Sequence, residues 1–162
     1  MHAACRRGAA ATIGYSTSHI DEAHEAMRRA YFDFHTRSPA PRPSQFRYHR
    51  RSVESGVIGL DRMRYSATMD ITTAPVDYVH VTLVLDGRLT IRADQEQVQL
   101  SAGDLVLVPP GKPFQGVLTD FDVRILRLPL TAVTHAAAAR WGIEPADFAF
   151  RSMLPISAPL AR

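Results

Sequence analysis

The sequence predicts a mainly β domain, a sandwich or barrel with one helix before it and one after it. Three observations carry that reading. From Phe46 to Leu130 apolar residues alternate or run in short stretches, the spacing of strands that bury one face. Turn-forming pairs punctuate them: Asp86-Gly87, Gly103-Asp104, Pro110-Gly111 and Thr119-Asp120. On both sides of this region the apolar period becomes helical.

Taken in order, residues 1–16 read as a disordered N-terminal tail: "MHAACRRGAAATIG" has arginines and alanines but lacks the apolar stretch and cleavage site of an export signal. The helix within "STSHIDEAHEAMRRAYFDFH" starts at Ser18, a capping residue, with Asp21 in the first turn where a negative charge suits the helix dipole. Ile20, Ala23, Met27, Ala30, Tyr31 and Phe34 form its apolar face. Three prolines in "TRSPAPRPSQ" make the next segment a linker. The strand region follows as "FRYHRRSV", the hairpin "GVIGLDRMRYSATMDI", then "YVHVTLVLDGRLTIRA", "EQVQLSAGDLVLVPPG", "FQGVLTD" and "DVRILRLPL". Short, evenly punctuated strands favour a β sandwich or barrel over a parallel α/β sheet. The second helix, "LTAVTHAAAARWG", runs from a Thr131 cap to Gly142, a natural C-terminal stop. The last segment, "IEPADFAFRSMLPISAPLAR", reads as a chain cut in the middle of an element.

Composition narrows the function classes. With 162 residues, 46% hydrophobic and 22% charged, the chain has the make-up of one globular domain. No apolar run approaches the ~20 residues of a membrane-spanning helix. Cys5 is the sole cysteine, which excludes an internal disulfide and a thiolate metal cluster and fits a cytoplasmic location. The net charge of +3 is nearly all arginine, Lys112 being the single lysine, and is too sparse to argue for DNA binding by itself. His19, His24, His35, His49 and His135 show no metal-ligand spacing, Ser16, Thr17 and Ser18 have no adjacent base arranged as a nucleophilic triad, and no glycine-rich phosphate loop occurs. No catalytic residue, metal or cofactor is therefore assigned.

The block "DG", then Gly103, Asp104, Pro109 and Gly111 in the pattern GD-x-x-x-x-P-x-G, resembles the two sequence blocks of the cupin jelly-roll barrels. Metal-dependent cupins place three histidines and a glutamate in those blocks. Counted onto this chain, the glutamate position falls on His80, the paired histidines near Thr73 and Pro75 or Ala74 and Val76, and the last histidine on Phe114. One imidazole cannot hold a divalent ion without further ligands. A stand-alone cupin enzyme with ligands from elsewhere, and a structural or storage barrel, stand as the alternatives.

A narrower resemblance runs from about Thr17 to the end: "DEAHEAM", the linker, the hairpin, the "YVHVTLVLDGRLTI … SAGDLVLVPPGKPF" core, "FDVRILRLPLTAV", and Phe150 to Ser157 in the pattern F-x-x-x-x-P-I-S. This order is similar to the effector-binding domain of AraC/XylS-type transcriptional regulators. The resemblance implies a cupin-like jelly-roll barrel over residues 17–162, flanked by N- and C-terminal helices, that binds a small-molecule effector. It further implies homodimerisation and DNA binding through a C-terminal helix-turn-helix domain absent from this chain. By the same resemblance Tyr78, His80, Thr82 and Val84 point inward, with Val79, Val81, Leu83 and Leu85 under an outer layer.

The candidate effector contacts are Tyr78, His80, Thr82, Phe114 and Arg64. Tyr78 and His80 either orient a ligand in a mostly apolar pocket or hydrogen-bond other groups of the core. Phe114 either plugs the former metal seat or dries the pocket for an apolar or aromatic effector. Arg62 and Arg64 alternate with Met63 and Tyr65, so one pair faces in; inward arginines could clamp a carboxylate, outward ones are solvated. The "RYHRR" cluster at residues 47 to 51 reads as a charged edge strand.

Overall fold

A computed structural model describes residues 11–37 and 45–155. Residues 1–10 with Cys5, the prolines of the linker, and the end from Ile156 lie outside the described residues. The strands are β1 (Ala11–Thr17), β2 (Phe34–Thr36), β3 (Tyr48–Ser55), β4 (Ile58–Thr73), β5 (Tyr78–Ala93), β6 (Glu96–Leu100), β7 (Leu105–Val108) and β8 (Gln115–Pro129). Helix α1 (Ile20–Ala30) lies between β1 and β2, and α2 (Leu130–Trp141) follows β8 directly.

All pairings are antiparallel, and all but β1–β3 involve one of three long neighbouring strands, β4, β8 and β5, in that order. At one end the ladder reads β1-β3-β4-β8-β5-β7; at the other it reads β2-β4-β8-β5-β6. The same three strands thus serve two facing half-sheets, and their inner faces enclose one apolar core. The architecture is the mainly β jelly-roll barrel with flanking helices that the sequence predicts.

The strands turn the corner between the halves by bulging at one level. Pairing between β4 and β8 shifts between Tyr65 and Thr68, and pairing between β5 and β8 shifts on both sides of Asp86. Gly87 has φ +86°, and a Cβ there would meet the Asp120 carbonyl oxygen at 2.3 Å. Asp120 itself has φ 40°. Asp86-Gly87 and Thr119-Asp120 are therefore internal bulges, where the sequence predicts turns. The reason is physical: a bulge and a turn both need a residue that tolerates positive φ, so sequence chemistry alone does not separate them. Each bulge also inverts the inward phase. On β5 it passes from His80, Thr82 and Val84 to Leu89, Ile91 and Ala93. On β8 it passes from Gly116 to Phe121, Val123 and Ile125. The two changes compensate, so one interior runs through both halves.

Further departures concern the ends of the barrel. Ala11–Ser16 are not a loose tail: with Thr17 they pair along β3 from Ala11–Glu54 to Thr17–Tyr48. That pairing also makes β1, not β3, the edge, so residues 48–51 are interior to the ladder. The predicted hairpin at 56–71 is instead the end of the β3–β4 turn followed by one long strand. Ser18 does not cap α1. His19 holds the cap position without a side-chain bond, while Thr17 Oγ1 accepts from the His19 amide (3.1 Å) and donates to Glu22 (2.5 Å). Thr131 likewise makes no cap for α2, which begins straight from Pro129. Gly142 does end α2 in the left-handed conformation, its amide donating to the Ala138 carbonyl at 2.8 Å. Beyond it, Met153 is buried, its carbonyl accepting from the Leu107 amide at 2.8 Å and its own amide donating to the Glu96 carboxylate at 3.1 Å, so this segment covers β7.

Candidate functional site: the barrel interior and its mouth

The inward phase of β5 sets His80 and Thr82 into the middle of the barrel, both buried. Val108 of β7 pairs opposite His80, and Val123 and Ile125 of β8 lie alongside. Phe114, tied to Thr73 by a backbone bond (Thr73 N–H to Phe114 O, 3.0 Å) and by its own amide donating to the Thr73 side chain (Phe114 N–H to Thr73 Oγ1, 3.1 Å), closes the far wall. Helix α1 closes the near side through Met27 and Tyr31, and Phe32 follows it into the gap. These side chains, with Met63, Ile71 and Leu89 among others, enclose a cavity of about 50 Å³ whose walls are almost wholly carbon. Tyr78 does not line this cavity; it is half-buried and donates from its hydroxyl to the Tyr31 carbonyl at 2.9 Å.

Rings surround His80. Tyr31 and Tyr78 stack on it at 6.1 and 6.0 Å between centroids, and Phe32 lies tilted at 5.9 Å. Phe32 meets Phe114 edge-on at 5.4 Å. Burial, with a smaller push from Arg127, lowers the imidazole pKa to about 4, so His80 is neutral at physiological pH. Its Nδ1 is buried and has no hydrogen-bond partner among the described residues.

Behind Tyr31 lies a charged cluster. Asp61 is fully buried and accepts from Arg127 Nε at 2.8 Å and Arg50 Nη2 at 3.2 Å. Arg127 also donates to Glu54 at 3.1 Å, and Arg50 Nε donates to the Tyr31 hydroxyl at 3.1 Å. Both guanidiniums approach the Tyr31 ring face, at 5.2 and 5.7 Å from its centroid. Two carboxylates thus match two guanidiniums. Burial, with a further contribution from Asp61, pushes the Tyr31 phenol well above its ordinary range and keeps it protonated. Gly59 leaves the room: a Cβ there would fall 2.8 Å from Arg127 Nη2. An open cleft of about 600 Å³ lies outside this cluster, with Glu54, Tyr78, Arg127 and the start of α2 on its walls.

Of the five residues the sequence singles out, the structure brings His80, Thr82 and Phe114 together on the cavity wall; Tyr78 is not among the lining residues but stacks on His80 and lines the neighbouring open cleft. Arg64 is not with them. It is exposed on the outer face, because the β4 alternation turns Asp61, Met63 and Tyr65 inward and Arg62 and Arg64 outward. Arg62 instead pairs bidentately with Asp122 at 2.7 and 3.0 Å. Sequence reasoning passes over Tyr31, Phe32, Arg50, Asp61 and Arg127. One clue was present: Asp61 shares the phase of Met63 and Tyr65, and an acid on an inward face demands a cationic partner. Thr73, Ala74, Pro75 and Val76 offer no imidazole, and no group of three His, Cys, Asp or Glu side chains converges among the described residues.

A family model described as the AraC-binding-like domain matches residues 23–162. Among solved structures, the AraC-like transcriptional activator CuxR superposes with a TM-score of 0.63 at 16% identity, over 78% of this chain and 51% of that one. This chain therefore spans about half the length of that activator. Lower-scoring matches include KdgF from Halomonas sp. (TM-score 0.45, 17% identity, 61% and 94% covered) and an RmlC-like cupin from Shewanella frigidimarina (0.43, 14%, 58% and 92%). No curated protein matches the sequence.

Proposed function

This chain belongs to the AraC-binding-like domain family, and on that footing we propose that it is the ligand-sensing domain of an AraC-type transcriptional regulator. An effector enters the barrel, and a C-terminal DNA-binding domain outside this chain reads the result, in a cytoplasmic homodimer. The observation that carries the proposal is the enclosed apolar cavity around His80, closed on one side by the end of α1. A mostly apolar hollow with one or two orienting polar groups is the form of a small-molecule site. The neighbours of His80 are rings and aliphatic side chains, which supports a binding role over a metal-dependent reaction.

The arrangement gives the effector something to move. Tyr31 touches His80 on one side and Arg50 on the other, while Arg127 lies two residues before Pro129, from which α2 starts. A ligand that displaces Tyr31 must disturb the Arg50–Asp61–Arg127 cluster and, through it, the base of α2. Such a ligand shifts the domain between two arrangements by its differential affinity for them.

The test has two steps. Compounds that raise the melting temperature of this chain are found by thermal shift. The longer protein carrying the domain is then titrated against its promoter DNA with and without each hit. A hit that changes DNA affinity supports the reading; barrel ligands that all leave it unchanged overturn it.

A further inference from the structure

We propose that the barrel interior is built for an uncharged aromatic molecule bearing one hydroxyl, whose ring takes the place of Phe32 and whose hydroxyl hydrogen-bonds to His80 Nδ1. The proposal deepens the ligand-sensing reading by naming its ligand class, and it rests on that reading for its biological role only.

Size comes first. A cavity of about 50 Å³ is roughly a third of the ~150 Å³ of an engineered apolar cavity that binds benzene. A ring therefore enters only if a side chain leaves. Phe32 is the side chain placed to do so. It lies in the short link between α1 and β2, outside regular structure, and is half-buried, whereas Phe34 and Phe114 are buried at 3% and 5% exposure. Turning Phe32 outward vacates a ring-shaped space beside His80, with the edge-on aromatic contact to Phe114 available to the newcomer.

Charge comes next. No ionised side chain lines the cavity. Arg50 and Arg127 stand beyond Tyr31 and are already matched by Asp61 and Glu54. A carboxylate or ammonium would enter a dry, apolar space without a counter-charge, which is strongly disfavoured. His80 does not supply one, since burial keeps the imidazole neutral.

Polarity sets the number of hydroxyls. His80, 6% exposed, lines the cavity and its Nδ1 is buried without a partner among the described residues; the other lining side chains with a polar atom are Thr82 and Tyr31, whose hydroxyl already accepts from Arg50. A buried imidazole nitrogen needs a partner, and a single O–H donating to it meets that need. A sugar would bring many more hydroxyls than the wall can satisfy.

The experiment measures binding of phenol, benzene and benzoate by ligand-observed NMR to the wild-type chain, Phe32→Ala, Phe32→Leu, and Phe32→Ala/His80→Phe. Phe32→Leu keeps more packing should the alanine variant not fold, and the wild-type comparison of phenol with benzoate needs no variant. The expected result is phenol bound tighter than benzoate throughout and about tenfold tighter to Phe32→Ala than to wild type. His80→Phe should then cut the phenol-over-benzene preference by roughly fivefold to tenfold, the worth of one hydrogen bond. Benzoate matching phenol overturns the uncharged class. An unchanged phenol-over-benzene ratio in the His80 variant overturns the hydroxyl contact, as for an imidazole partnered by ordered water. Unimproved binding in both Phe32 variants overturns the displacement. None of these readouts involves DNA, so barrel ligands, phenol included, that all leave promoter affinity unchanged sink the sensor reading alone, and a charged effector found by the sensor screen sinks this one alone.

Discussion

The ring of Tyr31 stacks on the imidazole of His80 at 6.1 Å and 20°, while its hydroxyl accepts a hydrogen bond from Arg50 at 3.1 Å. One side chain thus joins an apolar interior to a buried ion cluster, and its two halves can be separated by mutation. Tyr31→Phe keeps the ring and removes the bond. It should cost about 1 kcal/mol in urea denaturation and leave ligand affinity nearly unchanged, while weakening any effect of ligand on α2. Equal losses in affinity and in stability would show that the ring, not the hydroxyl, had moved.

Asp61 answers to two guanidiniums at once. Asp61→Asn should destabilise the chain by about 3 kcal/mol, because Arg50 and Arg127 are left partly buried and short of a counter-charge. Replacing the exposed Arg64 by alanine should change stability by less than about 0.5 kcal/mol. Chemical denaturation of both variants checks the contrast; similar losses would refute the structural assignment.

Acid should weaken the fold through His80. Its folded pKa of about 4 lies below the ordinary 6.5, so between those values the unfolded chain binds more protons. Stability is then full above pH 6.5 and is lost as pH falls towards 4, by about 3 kcal/mol from this group. Burial lowers His24 in the same direction. Melting temperature followed from pH 7 to 4 should fall, and His80→Phe should flatten part of that slope. An identical slope in the variant would remove His80 from the account.

Two glycines with similar backbone angles should respond differently to alanine. A methyl carbon added at Gly87 (φ +86°) would lie 2.3 Å from the Asp120 carbonyl oxygen, whereas one added at Gly103 (φ +96°) would meet open space. Gly103→Ala should cost about 1 kcal/mol for the backbone alone, and Gly87→Ala about 3 kcal/mol or more because the bulge must also open. Thermal melts of the pair decide it.

Much of the barrel was legible in the sequence because strand alternation is local. The alternation along β5 and the stop at Gly142 follow from spacing and from glycine's freedom, while the choice of His80 and Thr82 as the inward face came from the family resemblance. What stayed hidden depends on distance along the chain. Asp61 finds Arg127 66 residues away, and Tyr31 meets His80 only because α1 docks across the barrel. The long bent strands were hidden for a different reason: positive-φ residues look the same in a corner as in a turn. Arg64 was misplaced by allowing either face of its strand to be the inner one, when its neighbour Asp61 already had a reason to be inside.

The direct passage from β8 into α2 makes the helix a lever. Pro129 is the last strand residue and Leu130 the first helical one, with no slack between them. Ala137 is the one described residue of α2 that is buried, and Trp141 at its end is 66% exposed, so the described residues bury little of the helix. Twelve residues at ~1.5 Å each give an arm of about 18 Å. A tilt of about 5° at Arg127 would carry Trp141 sideways by about 1.6 Å over that arm, a gain in amplitude obtained without unfolding anything.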